Sequence, residues 1–219
     1  MNKLKISIIA IVSGLMIGCT NNKSVDKPTS SDSESTNVSH ASLKATEIVE
    51  VPVDITKSII KWRGTKFLGA GSHEGTVRFK KGTLLFSDDQ LAGGEFTVDM
   101  KTIYNTDIPK DDPIPRKNLT SHLNSDFETN EFSTASFIIT QVDPGEANTF
   151  QITGDMTIRG ITKSITINTT EAKKGKEFTT QFAFDRFDWK IGEGGSWLEK
   201  KVVDAEITLS VIIKCKVAM

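Results

Sequence analysis

From Glu47 onward apolar and polar residues alternate along the chain. Successive side chains of a strand point to opposite faces, so a period of two predicts strands with one buried and one wetted face. The clearest run closes the chain. Val203, Ala205, Ile207, Leu209, Val211, Ile213, Cys215 and Val217 share one parity, Asp204, Glu206, Thr208, Ser210, Lys214 and Lys216 share the other, and only Ile212 breaks the pattern. This predicts a single strand longer than the usual five or so residues. The same alternation recurs in Ile60/Trp62, Val77/Phe79, Leu84/Phe86, Phe96/Val98/Met100, Phe137/Ile139, Phe150/Ile152, Met156/Ile158, Ile165/Ile167 and Phe182/Phe184. Lys81-Gly82, Gly93-Gly94, Asp143-Pro144-Gly145, Arg159-Gly160 and Lys174-Gly175 supply turn chemistry between these runs. Strands joined by short turns are antiparallel, and eight or more of them protect their edges by closing into a barrel or stacking as a sandwich. The domain is all-β on this reading.

One stretch departs from the pattern. Between Thr102 and Ser136, Pro109, Pro113 and Pro115 forbid a central strand, and Leu119 and Leu123 sit one helical turn apart. The spacing predicts a loop and a short helix near residues 116–125, crossing one end of the sheet structure.

The N-terminal segment follows different rules. Lys3 and Lys5 precede an apolar run from Ile6 to Ile17 that is too short to span a bilayer. With Leu15-Met16-Ile17-Gly18-Cys19 at its end, residues 1–18 read as a lipoprotein signal peptide and Cys19 as the lipid-bearing first residue of the mature protein. Acylation at Cys19 anchors the chain without spanning the membrane, since stable anchoring takes at least two acyl chains. Thr20 after the cysteine, rather than aspartate, favours the outer membrane facing the periplasm over the inner one. Residues 19–46 are rich in Ser, Thr, Asn, Asp and Lys and hold no aromatic residue. They form a flexible tether that spans roughly 30 Å as a coil. Residues 47–219 are then the folded domain.

Charge and cysteine content narrow the function classes. Lys and Arg total 27 against 28 Asp and Glu, so the chain has no net positive charge to attract nucleic acid. With Cys19 acylated, only Cys215 is left as a thiol, and an internal disulfide is impossible. The parity of Cys215 makes it a small buried hydrophobe. Three histidines, His40, His73 and His122, show no metal-ligand spacing, and no metal site is expected. His73 beside Glu74 and His122 before Leu123 are candidate acid-base groups, but catalysis needs a partner within hydrogen-bond reach. We read His73 as decorating a strand and His122 as hydrogen-bonding at a barrel end. Arg186 has two readings, pairing with Asp185 and Asp188 or holding a polar head at the barrel mouth, and the first is preferred. Gly192-Glu193-Gly194-Gly195-Ser196 lacks the Lys-Ser/Thr ending of a phosphate loop and reads as a long hairpin loop.

Several stretches together resemble the YceI-like family, exported lipocalin-like β-barrels, over about Val53 to Val217. Ser58-Ile59-Ile60-Lys61-Trp62-Arg63-Gly64-Thr65-Lys66 is similar to its first strand and Ser72-His73-Glu74-Gly75-Thr76-Val77 to its second. Ser121-His122-Leu123-Asn124-Ser125-Asp126-Phe127, with Thr134-Ala135-Ser136-Phe137 after it, resembles the family's helix and the following strand. The most specific likeness is Ile152-Thr153-Gly154-Asp155-Met156-Thr157-Ile158-Arg159-Gly160-Ile161-Thr162-Lys163, similar to a family hairpin; Asp185-Arg186-Phe187-Asp188-Trp189 resembles a later segment. Glu128, Ser133 and Lys190 depart from the family's usual Phe, Pro and Gly. The resemblance implies a closed antiparallel barrel of about eight strands that takes an isoprenoid-type or other long amphipathic lipid into its interior, without catalysis and with no cofactor besides that lipid. An eight-stranded barrel is just wide enough either to be filled by its own side chains or to hold one slender ligand. Two functions stay open: a lipid carrier, or a ligand-free interaction or structural module of the cell envelope. The side chains that alternation turns inward are Trp62, Phe79, Phe96, Met100, Phe137, Phe182 and Phe184, each a candidate ligand contact or a core residue touching only protein.

Overall fold

A computed structural model describes residues 47–66, 71–193 and 203–216. The expected signal peptide, Cys19 and the tether lie outside the described residues, as does most of the Gly192–Ser196 loop. The described residues form strands β1 (Ile48–Pro52), β2 (Ile59–Lys66), β3 (Ser72–Ser87) and β4 (Gln90–Asn105), helix α1 (Pro113–Asp126), then β5 (Thr134–Pro144), β6 (Thr149–Ile158), β7 (Ile161–Lys173), β8 (Glu177–Asp185) and β9 (Val203–Lys214). Strands β2 to β9 close a ring in the order β3-β2-β9-β8-β7-β6-β5-β4, sealed where β4 pairs back onto β3, every pair antiparallel. Closure abolishes the free edges that an open sheet exposes. Strand β1 is a ninth, outside the ring, laid against the second half of β3 with Ile48 opposite Ser87 and Pro52 opposite Thr83.

Two predicted turns are not turns. Lys81-Gly82 lies inside β3 and Gly93-Gly94 inside β4, each strand running 16 residues. Phe79 pairs with Val98 and Lys81 with Thr97, so Lys80 is an extra residue on β3, a β-bulge. The bulge moves the inward parity from Val77 and Phe79 to Leu84 and Phe86, all four buried. A bulge and a turn both reverse parity, which is why the pattern alone reads as two strands. The glycines there answer to crowding: a Cβ on Gly82 would meet Phe96 at 3.0 Å, and one on Gly94 would meet the Thr83 carbonyl at 2.8 Å. The true hairpin turn is Asp88-Asp89, with φ of 49° and 61°, the two positive values that a tight two-residue hairpin turn requires. Arg159-Gly160, at 51° and 70°, forms the same kind of turn where it is predicted.

Helix α1 begins three residues earlier than predicted, because Pro113 sits in the first turn, where a missing N–H costs nothing and the fixed φ suits a helix. None of its residues is buried. Its role is to cross the barrel end at which β2, β4, β6 and β8 finish. At the opposite end, Val53 bridges to Cys215, and the Val53 N–H donates to the Gly82 carbonyl at 2.9 Å.

Candidate functional site

Inward parity around the ring does not fill the barrel. A cavity of about 460 Å³ lies inside it, within the roughly 300–1,000 Å³ of ordinary ligand pockets. Every strand of the ring contributes to its wall: Trp62 from β2, Phe79 from β3, Phe96 and Met100 from β4, Phe137 from β5, Met156 from β6, Ile167 from β7, Phe182 and Phe184 from β8, and Leu209 from β9. The seven side chains that alternation points inward all line this space. Trp62, Phe79, Phe96, Met100 and Phe184 are buried; Phe137 and Phe182 are half-buried. Phe79 and Phe96 lie 6.0 Å apart between ring centres, in the tilted arrangement that aromatic pairs favour.

The two ends of the cavity differ in chemistry. At one, Phe178 packs between Phe86 and Phe150, with ring centres at 6.3 and 6.4 Å. Cys215, the residue after β9, is buried, and burial pushes its thiol above the ordinary value, with Glu171 adding to the shift. At the other end α1 lays Leu119, His122, Leu123 and Asp126 over the opening, followed by Phe127, and the polar side chains collect there: Thr65, Lys66, His73 and Arg186.

Thr65, His73, His122 and Arg186 are engaged with the protein. The Thr65 hydroxyl donates to the Asp204 carboxylate. His73 Nδ1 lies 2.6 Å from Asp107 Oδ2, and the other Asp107 oxygen accepts the Glu74 N–H at 3.3 Å. His73 therefore ties the start of β3 to the segment after β4 and also lines the cavity mouth, more than the decoration expected of it. Glu74 turns away, its carboxylate 3.7 Å from the Arg63 guanidinium, so His73 and Glu74 form no acid-base pair. His122 Nε2 lies 3.3 Å from Asp126 Oδ2, one turn further along α1. Among the described residues no three His, Cys, Asp or Glu side chains are placed to hold a metal ion.

Burial opposes ionisation of Asp107, but hydrogen bonds from His73, from its own backbone N–H and from Glu74 outweigh it and hold the carboxyl below its ordinary 3.8. A carboxyl depressed in the folded state stabilises above its unfolded value and loses that contribution as pH falls through the folded one. Asp107→Asn should therefore lower stability by about 1 kcal/mol at pH 7 and by progressively less below pH 4. Urea midpoints measured at pH 7, 4 and 3 check this, and a deficit that persists unchanged at pH 3 would refute it.

Arg186 hydrogen-bonds to neither of the two carboxylates predicted to pair with it, although Asp185 lies near enough to act on its charge. It is 5% exposed and stands on a short 3₁₀ turn, Arg186–Trp189. Its Nε donates to the Asp204 carbonyl at 3.1 Å, Nη1 to that of Ile191 at 3.0 Å and Nη2 to that of Val203 at 3.4 Å. Asp188 instead accepts from Lys163 Nζ at 2.6 Å, and Asp185 caps the turn by accepting the Phe187 N–H at 2.8 Å. Neighbouring carboxylates pair where side-chain reach permits, and the buried guanidinium, pointing inward from the turn, meets carbonyls first.

Alternation left some lining residues unmarked. Phe178 shares its parity with Phe182 and Phe184 and was legible in principle. Leu119 and Leu123 are marked only as helical neighbours, and Ile191, 2% exposed, comes from an irregular turn with no period to announce it.

Comparison with known proteins bears on what this cavity belongs to. No curated protein matches the chain. Among solved structures it is similar to Burkholderia cenocepacia BcnA, at 20% identity and a TM-score of 0.60, over 74% of this chain and 98% of that one. It is also similar to a Campylobacter jejuni YceI protein, at 17% identity and a TM-score of 0.48, over 65% and 85% of the two chains. The likeness to BcnA is one of fold. The YceI-like domain matches residues 51–215, a span that starts within β1, ends on the Cys215 bridge and encloses the whole ring, helix and cavity, and the chain accordingly belongs to the YceI-like family.

Proposed function

We propose that this protein is a membrane-anchored carrier that sequesters or transports a long amphipathic lipid of isoprenoid type in its barrel. The observation that supports this best is the cavity of about 460 Å³ walled by apolar side chains from all eight strands. The walls of an empty apolar space forgo dispersion contacts, and a hydrocarbon chain restores them while leaving water. YceI-like barrels are known for binding hydrophobic ligands. A barrel filled by its own side chains, as an interaction module would have, leaves no such space. The aromatic end suits a tail, and the helix end, where His73, His122 and Asp126 gather, suits a head.

In this reading Cys19 carries the acyl chains, residues 19–46 hold the barrel off the headgroups, and the protein sits on the outer membrane facing the periplasm. Ligand loading then takes place beside a lipid source. Solvent extraction of the full chain, purified from a lipid-replete host, followed by mass spectrometry is expected to yield a stoichiometric long-chain lipid; none in the extract would transfer the case to the ligand-free module. Cys19→Ala should move the protein from the membrane to the soluble fraction, and retention in membranes would refute the anchor.

A further inference from the structure

A closed ring decides where a ligand can pass. Each strand from β2 to β9 is hydrogen-bonded on both sides, so parting any two of them breaks a ladder, whereas the ends of the barrel carry none. One end is plugged by the rings of Phe86, Phe178 and Phe150. The other is crossed by α1, in which no residue is buried although Leu119 and Leu123 line the cavity. Little apolar burial holds this helix down.

Firm posts stand on either side of it. Before the helix, the Thr106 N–H donates to the Glu74 carbonyl at 2.9 Å and Asp107 pairs with His73, which fixes the chain to β3. After it, Phe127 and Thr129 are 8% and 3% exposed, and Arg159 Nη2, on the turn between β6 and β7, lies 2.5 Å from Glu128 Oε1. Asp126, the last helical residue, is near enough to Arg186 to act on its charge. Glu128, with φ of 47°, is the left-handed residue at which the chain turns away from α1. Residues 108–125 are thus a flap between two fixed points.

Between the posts the flap touches the core with half-buried Leu123, and hydrogen bonds from the barrel gather at the end of β4. Asn105, the last residue of that strand and fully buried, donates through Nδ2 to the Arg116 carbonyl at 3.2 Å and to the Thr120 hydroxyl at 3.1 Å. The Arg116 guanidinium donates in turn to the Tyr104 hydroxyl and lies 5.2 Å from the centre of that ring. The match is incomplete: Asn105 Oδ1 and Arg116 Nε are buried without a partner among the described residues. Unpaired buried groups oppose the closed arrangement, and lifting the helix returns them to water. None of Tyr104, Asn105, Arg116 and Thr120 lines the cavity. They can act on a bound molecule only through the helix.

We infer that α1 is a hinged lid, latched to the end of β4 through Asn105 and Tyr104, and that the ligand enters and leaves when this latch opens. The inference rests on the carrier reading and adds the route and its gate. A latch that touches no ligand acts equally on the opening of the empty and the filled barrel, so weakening it raises entry and release by one factor and leaves affinity unchanged.

The experiment is stopped-flow fluorescence of N-phenyl-1-naphthylamine with the purified full chain and its Tyr104→Phe, Thr120→Val and Asn105→Leu variants. Tyr104→Phe and Thr120→Val each delete one latch acceptor and should raise association and dissociation rates together, about three- to tenfold, with Asn105→Leu at the upper end and Kd unaltered in all three. Amide exchange in α1 should quicken by the same factor while that in β6 and β7 stays as it was, which separates a loosened lid from a loosened barrel. A weaker Kd at an unchanged association rate would make these residues supports of the bound state, and unchanged rates in every variant would place the route elsewhere; either result overturns the lid. Tyr104 is exposed and Thr120 half-buried, so the test stands on these two if Asn105→Leu fails to fold. No uptake of the probe by the unmodified chain would sink the carrier reading and the lid with it, whereas uptake at rates indifferent to the latch leaves that reading intact and sinks only this one.

Discussion

Arg186→Met is expected to destabilise the barrel by about 3–5 kcal/mol, the loss typical when one partner of a buried charged network is removed. The reason is the number of groups left behind. The carbonyls of Ile191, Val203 and Asp204 lose their donors together, and all three lie where the chain leaves the turn after β8 and enters β9. The Ile191 carbonyl is buried and carries the full cost of desolvation when its donor goes, while those of Val203 and Asp204 are part-buried and carry a share of it. Burial pushes the guanidinium below its ordinary value and Asp126 and Asp185 oppose that shift, so its loss also removes a cation from beside two carboxylates. The guanidinium lies 4.2 Å from the centre of the Phe187 ring, a contact that holds the plane in place. Lysine cannot substitute: one ammonium on a flexible stem does not reproduce a rigid fork with donors on three nitrogens. Urea denaturation of Arg186→Met and Arg186→Lys should show both midpoints lowered at constant slope. A midpoint for Arg186→Met within experimental error of the parent would mean that water reaches these carbonyls and that Arg186 is dispensable to the fold.

Arg186 also marks the boundary of what the amino-acid pattern makes legible. Period-two alternation encodes which face of a strand is wet, and it is sufficient to place Trp62, Phe79, Phe96, Met100, Phe137, Phe182 and Phe184 on one surface; the identity of the surface as the wall of an open cavity depends on ring closure, which no single strand encodes. Alternation is blind to the difference between a bulge at Lys80 and a turn at Lys81-Gly82, because each shifts parity by one residue, and only the pairing of Phe79 with Val98 and Lys81 with Thr97 distinguishes them. The prolines with Leu119 and Leu123 predict the helix but place its start three residues late, since proline both ends strands and opens helices. Residues on irregular backbone were out of reach. Trp189 is 1% exposed, meets Phe184 edge-on at 5.3 Å and donates its indole N–H to the Met156 carbonyl at 3.3 Å. Nothing in the spacing of Arg186-Phe187-Asp188-Trp189 foretells that this turn is packed into the barrel wall.

Phe178→Ala should be the most damaging truncation at the aromatic end, costing about 3–5 kcal/mol. Phe178 is 3% exposed and is the shared member of two ring pairs, so its removal breaks the contact with Phe86 and the contact with Phe150 at once. The void it leaves is not isolated, because Phe178 also lines the cavity. Neighbours therefore cannot collapse onto the vacated space as they do around a small defect in a packed core, and the loss falls near the top of the range. On the proposed carrier function the consequence goes further: the aromatic end of the cavity becomes wider and wetter, and a hydrocarbon bound there would give up contacts. Phe178→Leu, which retains an apolar plug, should lose much less. Thermal or urea unfolding of both variants, combined with release rates of the co-purified lipid, separates the two roles. If Phe178→Ala unfolds at the parent's midpoint and keeps its ligand as long, then Phe86 and Phe150 seal that end by themselves and the aromatic cluster is redundant. A large stability loss with unaltered lipid retention would instead place the ligand's tail short of Phe178, in the middle of the barrel.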